Sequence, residues 1–259
     1  STLFSSIRTG EVDVLLSNSV DDIQLLALSN LSKKGLLNEG EGPATEIGFI
    51  TFKSNKKPFN NVNLRRALSY SIDRKLISKI VSMGKREPLM SIIPSQFRNN
   101  NLSPWPSYDP EYARSIFKKE GFCIDKKLEF TLTYRSNIPA DKLLALTWKK
   151  QLKRELSDCV NLTLNGVEST TVYKQLGDGA FEAVILDWTG AYPDPEAYLS
   201  PLISCTEIIN KTCRKGEAVF SGSFWGDLES QKFLANSEKF SGKSRLKMLL
   251  NAEKNTAKE

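Results

Sequence analysis

The chain has 259 residues, 40% hydrophobic and 25% charged, as is ordinary for a globular protein of one or two domains. Its net charge of +6 arises from 36 basic and 30 acidic residues that are interleaved, so no block of one sign predicts a nucleic-acid partner. Histidine is absent, which excludes imidazole-dependent catalysis and removes the commonest ligand for zinc or nickel.

The first 52 residues contain two apolar segments that are typical of strands. Residues 11–16 (EVDVLL) follow a glycine turn and predict a strand. A short helical pattern at 20–28 can start at Asp21 or Asp22, and residues 30–43 are polar and glycine-containing, which predicts a loop. Residues 45–52 (TEIGFITF) predict a second strand. No apolar run reaches the 18 residues of a membrane-spanning helix.

Residues 58–81 predict a pair of helices. Pro58 cannot sit inside a helix ladder and the asparagines after it can act as N-caps, so the first helix should begin near Val62. Asp73 can cap the second helix, which Gly84 should end. The expected apolar faces contain Leu64, Ala67, Leu68 and Ile72 in the first helix and Leu76, Ile77, Ile80 and Val81 in the second.

Residues 88–106 are rich in proline and asparagine and predict a long surface loop. Residues 108–122 then predict a helix with Asp109 at the N-cap, Pro110 at the first helical position and Gly121 beyond the end.

The middle of the chain predicts a βαβαβ unit. Strand patterns at 128–134, 160–164 and 181–188 alternate with a helix that Pro139 introduces and a short helix at 170–176. Connections of this length favour parallel strands with right-handed crossovers. Residues 183–186 are apolar on both faces, which is typical of a central strand.

Beyond Pro201 the chain predicts a loop-rich segment up to residue 223, helices near 225–234 and 244–252, and a charged tail that frays from the last helix. The four cysteines, Cys123, Cys159, Cys205 and Cys213, lack the C-x-x-C spacing of a zinc or redox motif. Cys205 and Cys213 flank a short polar loop and could be a disulfide or two free thiols.

Ligands of open α/β sheets bind beyond the carboxyl ends of the strands, which directs attention to the segment after the most buried strand. The candidate ligand-binding residues there are Asp187, Trp188, Thr189, Gly190, Ala191, Tyr192 and Asp194. The alternative is a plain turn with Trp188 packed in the core. Tyr134, Arg135 and Asn137 end an earlier strand of the same unit. Arg135 could bind a ligand carboxylate or be a solvated loop arginine.

Four segments resemble the peptide and nickel family of bacterial extracellular solute-binding proteins, family 5. They are GEVD at 10–13, KPFNNVNLRRALSYSIDR at 57–74, the D-P-x-x-A-R pattern at 109–114, and DWTGAYPDPEAYLSPLISC at 187–205. The resemblance implies an α/β fold, a type II periplasmic-binding-protein-like lobe with a mixed sheet and flanking helices. It also implies that residues 1–44 are a strand and helix of a first lobe and that 45–259 form the second lobe. We expect a fragment that lacks the C-terminal return to the first lobe.

The same resemblance implies the substrate-binding component of an ABC importer that holds a peptide or peptide-like ligand in an interlobe cleft. Such a protein is periplasmic or otherwise extracytoplasmic, a monomer, peripheral to the membrane at most and possibly lipid-anchored, and it delivers its ligand to a permease without catalysis or a cofactor. One alternative is a ligand-sensing or adaptor lobe of a regulatory protein. Another is a hydrolase that uses Asp187 and Asp194 as paired carboxylates.

Three further expectations depend on the resemblance. Members of the family line the cleft with the tryptophan and the loop after it, which assigns Trp188 to the ligand. They anchor a peptide's α-ammonium with an aspartate three positions later, where this chain has Ala191. Another acid, Asp187 or Asp194, would have to replace that counter-ion. The resemblance also favours a disulfide between Cys205 and Cys213.

Overall fold

The computed structural model describes residues 2–16, 20–40, 42, 45–98 and 104–259. Its helices are α1 Thr2–Thr9, α2 Asp22–Lys33, α3 Val62–Tyr70, α4 Arg74–Ser82, α5 Pro110–Lys119, α6 Pro139–Glu155, α7 Ser169–Leu176, α8 Glu196–Ile203, α9 Glu217–Phe220, α10 Leu228–Ser237 and α11 Gly242–Lys258. Its strands are β1 Glu46–Phe52, β2 Leu128–Arg135, β3 Val160–Val167, β4 Ala183–Thr189, β5 Glu207–Ile209 and β6 Thr212–Lys215.

A four-stranded mixed sheet in the order β1-β4-β2-β3 organises the chain. Strands β2, β3 and β4 are parallel, while β1 runs antiparallel to β4 with Glu46 opposite Thr189 and Phe52 opposite Ala183. The predicted βαβαβ unit is therefore confirmed. Residues 183–186 are buried, as expected of a strand with neighbours on both sides.

The largest core cluster lies where the sheet packs on α3, α5 and α6. Trp148 of α6 is 1% exposed and packs against Phe130 of β2 with ring centroids 6.0 Å apart. Its indole N–H donates to Ser71 Oγ at 3.2 Å, which links α6 to the end of α3. A second cluster, around Tyr198 and Leu249, packs α8 and α11 beside β1.

The predicted helix pair is present with the expected caps. Asn61 accepts from the backbone N–H of Asn63 and Asp73 accepts from that of Leu76, so α3 and α4 begin where free backbone donors have a side-chain partner. The prediction for Ile80 was wrong, because its side chain is 44% exposed. The helical period places it on the rim of the apolar face, and periodicity alone cannot tell a rim position from a core position.

Residues 88–98 follow the expected loop course, apart from a short 3₁₀ helix at Ser95–Phe97. The segment is not entirely on the surface, because Ile93 is fully buried. Glu253 of α11, which is 1% exposed, holds the segment by accepting from the backbone N–H of Ile92 at 2.8 Å and of Ile93 at 3.2 Å. Arg98 is its ion-pair partner at 3.2 Å. Residues 99–103 of the predicted loop lie outside the described residues.

The strand predicted at 11–16 was wrong. The described residues there form no strand, although a helix, α1, precedes them. Alternating apolar side chains indicate a strand only if another strand is beside it, and none of the sheet strands pairs with this segment. Val14 and Leu16 are accordingly 77% and 68% exposed.

The segment up to residue 223 contains more regular structure than predicted. From residue 201 it holds the end of α8, the hairpin β5–β6 and the four-residue helix α9. Short elements of this kind are set by tertiary contacts rather than by periodicity, which needs several turns or residues to show. Of the described helices, α6 and α11 are the longest at 17 residues, and none is long and apolar enough to cross a membrane.

Two disulfides are present. Cys205 pairs with Cys213 and joins the end of α8 to β6, which is the pairing that the resemblance implied. Cys123 pairs with Cys159, which the sequence analysis did not anticipate. The parallel pairing of Leu128 with Val160 brings the residues before β2 and β3 to the same sheet edge, so strand topology could have indicated this second bridge.

Candidate functional site

The candidate residues lie at one edge of the main sheet. The parallel strands β2 and β4 end there at Arg135 and Thr189, and β1 begins there at Glu46. The loop 190–194 and Asn137 follow the strand ends. The sheet topology therefore brings both groups of predicted site residues to the same edge.

Arg135 is the centre of a buried ion-pair cluster. Its Nε donates to Asp141 Oδ2 at 2.8 Å and its Nη2 donates to Asp141 Oδ1 at 3.0 Å. Toward β4, Nη1 and Nη2 donate to Asp187 Oδ1 and Oδ2 at 2.9 and 2.7 Å. The remaining N–H, on Nη1, donates to Tyr173 Oη at 2.8 Å. All five side-chain N–H groups are thus engaged within the protein.

This cluster carries one positive and two negative charges when its carboxylates are ionised. Burial raises the pKa of Asp141 above its ordinary value of 3.8 even though Arg135 hydrogen-bonds to it. Burial opposes the charged form of Arg135, but hydrogen bonds to Asp141 and then Asp187 raise its pKa overall. Of the three charged residues only Asp187 has substantial exposure, with 36% of its side chain accessible against 5% for Arg135 and 7% for Asp141. The excess negative charge therefore faces solvent through Asp187.

Asp141 was missed by the sequence analysis. It lies in the first turn of α6, two residues after Pro139, and is 6% exposed. Carboxylates are common near helix N-termini, where they interact favourably with the helix dipole. The position of Asp141 in the sequence therefore did not distinguish it from an ordinary first-turn acid. The available signal was its closeness in sequence to Arg135, six residues earlier at the end of β2.

Trp188 is half-buried and packs on the second core cluster. Its indole N–H donates to the carbonyl of Ala197 at 2.7 Å, so the edge carrying the nitrogen faces α8. The residue therefore has a packing role, as the turn interpretation held, and retains an accessible part at the sheet edge. Packing in the core and contact with a ligand are therefore both compatible with the position of Trp188.

The loop after Trp188 is anchored at Gly190. A Cβ there would lie 2.8 Å from the ring of Tyr198, so only glycine permits this approach. The Tyr198 hydroxyl donates to the carbonyl of Thr45 at 2.8 Å, which ties α8 to the start of β1. Thr189, Ala191 and Tyr192 remain exposed on either side. The exposed residues of the loop are thus held in place by the packing of Gly190 against Tyr198.

Asp194 is also paired with an arginine. Arg245 of α11 donates to its Oδ2 at 2.5 Å, and its Oδ1 accepts from the backbone N–H of Glu196 at 2.8 Å. Tyr192 donates to Glu196, a contact that raises the pKa of the tyrosine to about 12. Because Asp194 and Asp187 each pair with a different arginine, their geometry gives no support to a hydrolase with two cooperating carboxylates.

Tyr134 and Asn137 make contacts that shape the edge. The Tyr134 ring covers Gly166 of β3, where a Cβ would be only 2.8 Å from it. Asn137 Oδ1 accepts from the backbone N–H of Ser169 at 3.0 Å and from its hydroxyl at 2.6 Å, at the start of α7. Tyr134 is half-buried and Asn137 is exposed.

Within the described ranges, one group of side chains has the spacing of a metal site, formed by Cys123, Asp158 and Cys159. Both cysteines are in a disulfide and offer no thiolate, and Asp158 pairs with Arg114. This group of side chains lies before β3, at the end of that strand opposite the edge that carries the candidate residues.

Residues 1–210 match the family described as bacterial extracellular solute-binding proteins, family 5 Middle. The chain is 29% identical over 221 residues to heme-binding protein A of Haemophilus influenzae, an alignment that covers 81% of the chain and 37% of that protein. It is 28% identical over 207 residues to the periplasmic oligopeptide-binding protein OppA of Salmonella typhimurium, covering 76% of the chain and 36% of that protein.

Solved structures share the fold. A dipeptide-binding protein from Pseudoalteromonas sp. SM9913 in complex with Met-Leu superimposes with a TM-score of 0.77 at 24% identity, over 99% of this chain and 48% of that one. The chain spans less than half the length of these relatives. The lobe fold expected from the sequence is confirmed by this similarity. With the family match covering most of its length, the chain belongs to the bacterial extracellular solute-binding proteins, family 5.

Proposed function

We propose that the chain is one lobe of the substrate-binding component of an ABC importer for peptides, and that the loop after Trp188 forms one wall of an interlobe cleft. The observation that carries this proposal is the family match over residues 1–210. Relatives named as oligopeptide- and dipeptide-binding proteins support peptides as the ligand class. We place the division between lobes at residue 45, where β1 leads into the helix pair.

The geometry of the sheet edge supports loose recognition through the backbone. Thr189, Ala191 and Tyr192 are exposed on a loop whose base is fixed by Gly190 and Tyr198. Exposed loop backbone can hydrogen-bond a peptide of any sequence, while Trp188 and Tyr192 supply apolar surface for its side chains. Hinge closure against the other lobe would complete the site.

Arg135 acts in this proposal as a positioning residue rather than as a partner for a ligand carboxylate. Its five N–H groups are already engaged by Asp141, Asp187 and Tyr173, so a ligand would have to displace one of those bonds. Its role is to fix the Asp187 carboxylate at the cleft edge. Tyr134 and Asn137 support the same edge and could contact a ligand at its margin.

The amine anchor is where this chain departs from its family. Ala191 supplies no carboxylate, Asp194 is paired with Arg245, and both oxygens of Asp187 already accept from Arg135, which Asp187 shares with Asp141. A buried ammonium needs a counter-ion, so we expect weak selection for a free peptide N-terminus.

An extracytoplasmic location is part of the proposal. Two disulfides favour an oxidising compartment, and the relatives include proteins named as periplasmic. The partner would be a membrane permease that receives the ligand, with the binding protein monomeric, peripheral to the membrane at most, and possibly lipid-anchored. Relatives of this family are binding proteins rather than enzymes.

Haem is the second candidate ligand, because one relative is named as a haem-binding protein. This chain contains no histidine, so it cannot offer the commonest protein ligand for haem iron. Mass spectrometry of small molecules that co-purify with the full-length protein distinguishes the candidates. We expect a mixture of short peptides, whereas haem alone, or a single ligand of another class, would overturn the peptide assignment.

A further inference from the structure

A groove separate from the candidate site runs between α4 and α6. Its volume is about 290 Å³, and its lining residues are Leu76, Ile80, Leu143, Leu146, Thr147, Lys150, Gln151 and Arg154. Ile80, Leu143 and Leu146 are 44%, 41% and 40% exposed. Three large apolar side chains thus share one solvent-facing depression on helices that otherwise pack against the core.

The two helices that form this groove are strongly basic. Helices α4 and α6 contain eight basic and two acidic side chains, a net charge of +6, which equals the formal net charge of all 259 residues. Basic and acidic residues therefore balance over the rest of the chain. The excess of basic over acidic residues is therefore not spread evenly over the chain, because these two helices account for all of it.

The lysines of this surface are not neutralised by the protein. Six of them are exposed, and none has an ion-pair partner within the described part of the chain. They are Lys75, Lys79, Lys142, Lys149, Lys150 and Lys153. The two acids are already engaged, Asp141 by Arg135 and Glu155 by Arg154.

We propose that this lysine-flanked groove is a docking surface for an amphipathic helix of a partner protein, one with apolar side chains on its inner face and acidic side chains on its flanks. The groove is concave, so it can receive apolar side chains from a helix that crosses it. The lysines on both helices would pair with the acidic flanks, which sets the charge of the partner. None of the lining residues belongs to the candidate ligand site, so the proposal does not depend on the ligand.

An anionic membrane is the competing occupant, since lysines beside apolar residues also suit phospholipid headgroups. The concave shape argues against it. Membrane-surface binding buries a protruding apolar face in the acyl layer, whereas these side chains line a depression and are only two-fifths exposed.

Fluorescence anisotropy with a labelled synthetic helix of about 18 residues, with leucine on one face and glutamate on its flanks, tests the proposal. The controls are a scrambled peptide of the same composition and vesicles that contain anionic phospholipid. We expect saturable binding of the helix, weakened by salt, and at least about tenfold weaker binding by Leu146→Asp and by Lys150→Glu. Phe220→Asp, which changes an equally apolar side chain that is 67% exposed on α9, should leave the affinity unchanged.

Circular dichroism melting confirms that each variant is folded, and Lys150→Glu, a change of an exposed side chain, keeps the test valid if Leu146→Asp does not fold. Equal affinity for the helix and its scrambled control would overturn the proposal. So would unchanged affinity in both groove variants. Binding to vesicles but not to the helix, lost in Leu146→Asp, would assign the surface to a membrane instead.

Discussion

Arg135 and Asp187 are joined by two parallel hydrogen bonds of 2.9 and 2.7 Å, which connect the carboxyl end of β2 to that of β4. On its other side Arg135 holds Asp141 in the same two-bond manner. One arginine therefore fixes two carboxylates, one buried and one at the sheet edge. Its removal affects both the stability of the lobe and the position of Asp187.

Replacing Arg135 by alanine should lower the free energy of unfolding by about 3–5 kcal/mol, because it leaves the buried Asp141 carboxylate without a counter-ion. Urea denaturation at neutral pH measures the loss. Arg245→Ala is the matched control, since its pair with Asp194 is more accessible and should contribute about 1 kcal/mol or less. Similar losses in the two variants would show that burial of the cluster does not matter.

Glu253 predicts a pH-dependent contribution to stability. Burial raises its pKa above the ordinary value of 4.5, so the folded state holds this proton more tightly than the unfolded chain does. Its contribution is fully present below pH 4.5 and declines as the pH rises through the raised folded value. Wild type should therefore lose stability relative to Glu253→Gln over that interval, by at most about 1.4 kcal/mol per pH unit.

Urea titrations of the two proteins at a series of pH values provide the measurement. Comparison with the glutamine variant cancels the contributions of the other titrating groups, apart from changes in Arg98 and the loop it faces. A stability difference that is flat with pH, or that grows as the pH rises, would contradict the expectation.

Gln151 offers a stabilising substitution. It is 1% exposed, and its amide nitrogen and oxygen have no hydrogen-bond partner among the residues that the structure describes. Methionine has a similar shape and no polar group to leave unpaired, so Gln151→Met should raise the free energy of unfolding by about 1 kcal/mol. Gln231→Met should do the opposite, because Gln231 accepts from Cys205 N at 2.9 Å and donates to Ile203 O at 3.0 Å. Thermal melts that rank the two variants the other way would refute this account of Gln151.

The sequence predicts the βαβαβ unit and the helix pair because their signals are local. Asp73 and Asp109 each cap a helix by accepting from a backbone N–H three residues later. The apolar composition of residues 183–186 alone predicts a buried strand. The strand predicted at 11–16 failed because pairing depends on a neighbour that no local pattern reports. The same holds at the candidate site. The sequence placed Arg135 and Asp187 at one sheet edge, but the buried Asp141 on the other side of Arg135 is brought there only by the packing of α6.

Ala191→Asp in the full-length protein should increase the affinity for peptides with a free N-terminus by at least about tenfold, because it adds an exposed carboxylate that no arginine of the loop neutralises. Isothermal titration with matched free and N-acetylated peptides measures the change. The acetylated series is the control and should bind the variant and wild type alike. Equal gains for both series would mean that the substitution acts through loop conformation rather than through charge.

We expect the sheet edge around Trp188 to bind a peptide tightly only in combination with a second lobe. Isothermal titration of the same mixed peptide pool into the full-length protein and into this 259-residue chain tests it most directly. We predict tight binding by the full-length protein and at least about hundredfold weaker binding by the chain, since one wall buries only part of a ligand. Equally tight binding by the chain alone would contradict this expectation.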